Sequence, residues 1–180
     1  PPNNVAALAY IHPNLYTVDN NGSGSPTQYG LYKIDTTNST LIAATETETS
    51  PGSGVWGGWT KVTTLSKSTG TVGGMTAGGG KLYLGEDSTK NIHILQADGT
   101  SEGAFLMMDQ GSVMAPSGTE SLAYVAAADN FASTNIFIVG QYNEFYQVEA
   151  DASPSSGNYQ GSMIKQHYTA MGKPPYYMTG

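Results

Sequence analysis

A three-part phrase recurs three times along this chain, and it constrains the fold more than any other feature. The first copy reads Leu8-Ala9-Tyr10, then Leu15-Tyr16-Thr17-Val18-Asp19, then Leu31-Tyr32-Lys33-Ile34-Asp35. The second reads Met75-Thr76-Ala77, then Leu82-Tyr83-Leu84-Gly85-Glu86, then Ile92-His93-Ile94-Leu95 ahead of Ala97-Asp98-Gly99. The third reads Leu122-Ala123-Tyr124, then Ile136-Phe137-Ile138-Val139, then Phe145-Tyr146-Gln147-Val148 ahead of Ala150-Asp151. Self-similarity on this scale marks an array of one supersecondary unit.

The units are β-rich. Tyr16-Thr17-Val18, Tyr32-Lys33-Ile34, Tyr83-Leu84 and Ile92-His93-Ile94 are aromatic or β-branched runs of strand length. Clusters of Gly, Ser, Asn, Asp and Pro separate them, Asp98-Gly99 and Asp151-Ala152-Ser153-Pro154 being the clearest turns. Helical periodicity is not visible. A fourth strand is expected to close each unit: Thr40 to Thr45 or Trp59 to Leu65, then Ala104 to Met108, then Ser162 to Thr169. Four antiparallel strands per unit make the blade of a β-propeller. The 47 residues from Met75 to Leu122 suit a blade, and the 67 from Leu8 to Met75 require an insertion.

The expectation is therefore an all-β chain of propeller-like, four-stranded antiparallel repeats, about three blades, with a β-sandwich or jelly roll as the alternative. Residues 1–180 are read as one all-β domain or a propeller fragment, with repeats 5–65, 72–110 and 119–170, an insertion at 47–58 and a tail at 171–180. Phrases such as Gly80-Lys81-Leu82-Tyr83-Leu84 and His93-Ile94-Leu95-Gln96-Ala97-Asp98-Gly99-Thr100 resemble blades of secreted YVTN-type and NHL-type repeat propellers. The resemblance implies architecture; those families span ligand binding, scaffolding and a few hydrolases, so it implies no single activity. Propellers have four to eight blades. Three blades leave open edges, which pair with other chains, so self-assembly is expected.

Composition narrows the function. Charged residues are 12%, the net charge is -7, and all seven basic residues are Lys. A nucleic-acid reader needs Arg forks and a basic patch, so nucleic acid is not an expected partner. With no Cys there are no disulfides, thiolate metal sites or thiol chemistry. No apolar run is long enough to span a membrane as a helix. The chain opens Pro1-Pro2-Asn3-Asn4, without Met or a signal peptide, and is expected to be a processed chain or part of a longer one. A hydroxyl- and amide-rich surface of low charge suits an extracellular, cell-surface or virion protein.

Three segments and a scattered set of strand residues carry candidate chemistry. In Val55-Trp56-Gly57-Gly58-Trp59, Trp56 and Trp59 are candidate ligand anchors for a sugar ring or a partner pocket; the alternative is that one plugs the core and the other shields a sheet edge. Asp19-Asn20-Asn21-Gly22-Ser23-Gly24 opens like a calcium loop, with Asp19, Asn21 and Ser23 as alternating oxygen ligands. Gly30 stands at the twelfth position, where such a loop needs Glu, so a plain hairpin loop competes. Calcium is the one cofactor this pattern admits. The tail Lys173-Pro174-Pro175-Tyr176-Tyr177 offers Tyr176 and Tyr177 as adhesive aromatics. Strand-end carboxylates, Glu86 among them, are candidates to converge on a metal, and His93 to line a channel.

The leading expectation is a non-enzymatic structural or interaction protein that assembles with itself or within a larger surface complex and binds glycans or proteins. A monomeric carbohydrate-binding module is the first alternative, and a calcium-dependent propeller hydrolase or lactonase the second.

Overall fold

A computed structural model describes residues 2, 4–20, 28–45, 48–50, 55–66, 71–108, 114–126, 135–142, 144–150 and 158–169. Among these residues the chain is all-β apart from one short helix, and it divides into two compact units, Pro1–Thr69 and Gly70–Gly180. Among the described residues no helix is long and apolar enough to cross a membrane.

The first unit holds an antiparallel sheet in the order β1 (Val5–Ile11), β2 (Asn14–Asp19), β3 (Gln28–Asp35), β6 (Thr60–Ser66). Between β3 and β6 lie helix α1 (Ser39–Thr45) and a two-stranded ribbon, β4 (Glu48–Ser50) with β5 (Val55–Trp56). Of the two segments offered as a closing strand here, Thr40–Thr45 is helical and Trp59–Leu65 lies in β6 from Thr60 onward. The helix is too short to show periodicity. It forms because Asn38 caps it: the Asn38 Oδ1 accepts hydrogen bonds from the amides of Thr40 (3.1 Å) and Leu41 (3.2 Å).

Strands β2 and β3 are buried on both faces. Tyr16, Val18 and Leu31 fill one face, and Thr17, Tyr32 and Ile34 fill the other. A strand covered on both sides reads as a near-continuous apolar run rather than an alternation; Leu31, Tyr32 and Ile34 follow that pattern, and half-buried Lys33 interrupts it. Gly58, at φ +83, tucks under α1; a Cβ there would lie 3.2 Å from the Ile34 Cδ1 and inside the Leu41 carbonyl oxygen.

The second unit is an eight-stranded sheet. Strands β7 (Val72–Gly78), β8 (Lys81–Glu86), β9 (Asn91–Gln96) and β10 (Ser101–Met108) form one antiparallel meander. A second is formed by β11 (Ser121–Val125), β12 (Asn135–Gln141), β13 (Glu144–Ala150) and β14 (Asn158–Thr169). Parallel pairing of β10 with β14 joins the two, giving the order β11-β12-β13-β14-β10-β9-β8-β7. Of β4, β5 and β14 the backbone alone is described.

The two terminal strands, β7 and β11, lie against each other, so the sheet doubles back around an apolar core. Tyr83, Ile92, Ile94, Phe105 and Met107 come from one meander, and Leu122, Phe137, Val139, Tyr146 and Val148 from the other. Phe137 is the hub: its ring centroid lies 4.8 Å from that of Tyr83, 5.0 Å from Phe105 and 5.4 Å from Tyr124. These are the tilted and edge-on arrangements that aromatic quadrupoles favour. Backbone meets backbone where β7 crosses β11. A Cβ on Gly74 would fall 2.8 Å from the Leu122 nitrogen, and one on Gly73 would fall inside the Thr119 carbonyl oxygen. A β-sandwich fits this unit; no closed barrel or propeller ring is seen among the described residues.

Candidate functional site

The first hairpins of the two units are built to one plan. Val5 pairs with Asp19 and Ala7 with Val18, with a bulge between; Val72 pairs with Glu86 and Gly74 with Gly85, with the same bulge. Both pairings repeat at an offset of 67 residues (72 − 5 and 86 − 19). A bulge leaves one residue unpaired and turns the strand, so its recurrence at one position marks a repeated design.

A buried polar residue ends the second strand of every meander: Asp19 on β2, Glu86 on β8 and Gln141 on β12. Asp19 and Glu86 are fully buried and Gln141 nearly so. The residue after each one ties back to the chain entering the first strand. The Asn20 amide donates to the Asn4 carbonyl (3.4 Å), the Asp87 amide to the Thr71 carbonyl (2.9 Å) and the Tyr142 amide to the Glu120 Oε2 (2.7 Å). Side chains reinforce two of these ties. The Asp87 carboxylate accepts from the Thr71 amide (2.9 Å) and hydroxyl (2.8 Å). The Gln141 amide group bonds the Ser117 backbone amide and hydroxyl, both at 2.9 Å. The row thus latches each hairpin at one end, where unpaired backbone groups would otherwise be costly.

Around Glu86 the polar row becomes a small cluster. Thr89 donates its hydroxyl to Glu86 Oε2 (3.3 Å), the Thr119 amide donates to the Glu86 carbonyl (2.8 Å), and the His93 Nε2 stands 3.8 Å from Glu86 Oε1. The Thr119 hydroxyl and His93 Nε2 are buried without a hydrogen-bond partner among the described residues. A carboxylate beside an imidazole is acid–base chemistry in kind, but 3.8 Å is longer than a hydrogen bond. No group of three His, Asp or Glu side chains is placed to hold a metal ion among the described residues.

Of the candidate ligands, Asp19 is buried at the end of β2; burial first, and then the Asp19 charge, raise the Tyr32 phenol above its ordinary value. Asn21 and Ser23 lie outside the described residues, as do Tyr176 and Tyr177. Trp59 is half-buried just before β6, and Trp56 belongs to β5 by its backbone. None of these candidates is brought together with another by a described contact.

The phrase Leu8-Ala9-Tyr10 reads as an inner strand, and its surface role is not evident from that reading. In the structure β1 is the edge of its sheet, with Val5 50%, Leu8 53% and Tyr10 50% exposed. The signal lies in Ala6-Ala7-Leu8-Ala9-Tyr10, where the bulky residues alternate with alanines and so share one face. An apolar edge strand left open is a pairing site unless it is blunted. Charge is one means of blunting, and β1 carries none.

No protein-family model matches this chain, and no curated protein is similar to it.

Proposed function

We propose that this chain is a non-enzymatic structural or interaction protein of an extracellular, cell-surface or virion setting, whose four-stranded meanders act as propeller-like blades and assemble with further copies. The observation that carries the reading is strand β1, an uncharged edge with three large apolar side chains half-exposed. The shared hairpin plan supports it, since repeat units that bury a face against a neighbour leave the same face open at the end of an array. A hydroxyl-rich composition of low charge agrees with the proposed setting.

Light scattering over a concentration series tests the reading. Expected is a mass above the 18.9 kDa of one chain, either discrete or growing with concentration. A strict monomer at high concentration overturns it.

A further inference from the structure

The hairpin alignment places the three first strands in common register. Ala7 pairs with Val18, Gly74 with Gly85 and Ser121 with Gly140. Leu8, Met75 and Leu122 therefore occupy one position, and Tyr10, Ala77 and Tyr124 another. In the second unit the face bearing Leu122 and Tyr124 is the one with which the third meander covers the second. Leu122 is 2% exposed, and Tyr124 stacks on Tyr83 at 5.5 Å between centroids. The first meander carries Leu8 and Tyr10 at those two positions, 53% and 50% exposed.

The third meander shows the complementary surface. Within the second unit, the covered meander turns Gly74, Gly78 and Tyr83, on the face that also carries Thr76, toward its neighbour's Leu122 and Tyr124. The corresponding face of the third meander carries Ala123, Ile138, Phe145 and Gln147, all half-buried. It is apolar at its centre, and the strand register places one charged residue, Glu149, at its margin beyond Gln147. We infer that the exposed Leu8–Tyr10 edge of one copy docks on the Ala123–Ile138–Phe145 face of a second copy, repeating between molecules the first-strand part of the contact that the two meanders make within the second unit; the rest of that face, Thr17, Tyr32 and Ile34, is already buried.

Such a contact is heterologous: each face meets a different one, so copies add head to tail into a ring or a filament. The inference rests on the assembly reading and names its surfaces. Two variants test it. Leu8→Glu with Tyr10→Lys blocks one face and touches half-exposed side chains alone. Gln147→Lys blocks the other and replaces one polar residue by another; Ala123→Lys serves in its place if circular dichroism departs from wild type.

The expected result is that wild type assembles, each variant sediments as an 18.9 kDa monomer, and an equimolar mixture of the two gives a species of twice that mass and nothing larger. In that mixture one open pair of faces remains, and both outer faces are blocked. If wild type assembles while either variant keeps the wild-type mass, or while the mixture stays monomeric, the assignment of faces is overturned and self-assembly stands. If wild type is monomeric, both fall.

Discussion

The two compact units begin with the same bulged hairpin and treat it differently. In the first unit Ala6 sits in the bulge and a bare edge follows; in the second Gly73 sits in the bulge and β11 presses against it. Neither bulge residue has a positive φ, so the glycine is not there for its backbone freedom. It is there because a Cβ would collide with the Thr119 carbonyl. Identical local geometry takes alanine where the strand is open and glycine where another backbone lies on it. The neighbour, not the bulge, chooses the residue.

The largest break in this contrast is expected at Phe137. Phe137→Ala empties the centre of the aromatic cluster, and a buried Phe truncated to Ala costs about 3–5 kcal/mol. A denaturant melt should show the second unit losing its transition, while tryptophan fluorescence, which arises from Trp56 and Trp59 in the first unit, reports how far the loss spreads. A change under about 1 kcal/mol would mean that the two meanders do not depend on that cluster.

The bulge itself gives the sharper comparison. Gly73→Ala is expected to destabilise by about 1–3 kcal/mol, the ordinary range for overpacking, because backbone cannot swing aside as a side chain can. The reciprocal Ala6→Gly should cost only the roughly 0.5–1 kcal/mol of placing glycine in a strand. Equal effects at the two positions in thermal melts would erase the distinction between open and covered bulges.

Each unit also holds a phenol above its ordinary value of 10.0. Tyr32 is raised by burial and then by Asp19; Tyr146 is raised by burial, then by Glu144, whose carboxylate accepts its hydrogen bond. A phenol whose folded value is raised contributes stability in full below the unfolded value, and that contribution is lost as pH rises through the folded one. Replacing Tyr146 by Phe should therefore flatten the loss of stability as pH rises above the ordinary phenol value of 10.0, with Tyr32→Phe showing the same sign to a smaller extent. An unchanged alkaline limb in the Tyr146 variant would show that its burial does not persist in solution.

The smallest expected effect separates two exposed turns. Asp35 is lowered chiefly by the Thr37 hydroxyl, which donates to Oδ1 at 2.7 Å, whereas Asp98 is lowered chiefly by the Thr100 backbone amide at 2.8 Å. Thr37→Ala should thus raise Asp35 further than Thr100→Ala raises Asp98, as followed by NMR titration of the carboxyl groups. Any stability these turns add is present above the unfolded value near 3.8 and lost as pH falls through the folded one. Equal responses would show that the two turns use the same donor.

Much of the β-architecture is legible in the sequence. Tyr16-Thr17-Val18, Tyr32-Lys33-Ile34, Tyr83-Leu84 and Ile92-His93-Ile94 all lie in strands, and Asp98-Gly99 is a turn with Gly99 at φ 86. Helix α1 is not legible in the same way, because seven residues are too few to display a 3.6-residue period, although its Asn38 cap stands in plain view. The strand-end row is half visible. Asp19 and Glu86 stand out as carboxylates, but Gln141 does not, because an amide carries no charge pattern and its latch on Ser117 spans 24 residues.

Read alone, the sequence determined the periodic strands, the turns and the absence of guanidinium and thiol chemistry, because those depend on side chains and their nearest neighbours along the chain. Tertiary structure decided which face of each repeat is covered. Leu8, Met75 and Leu122 are comparable apolar residues in comparable phrases, yet of the three Leu8 alone is exposed. The reason is that burial is fixed by what packs across a sheet, and that partner is remote in sequence.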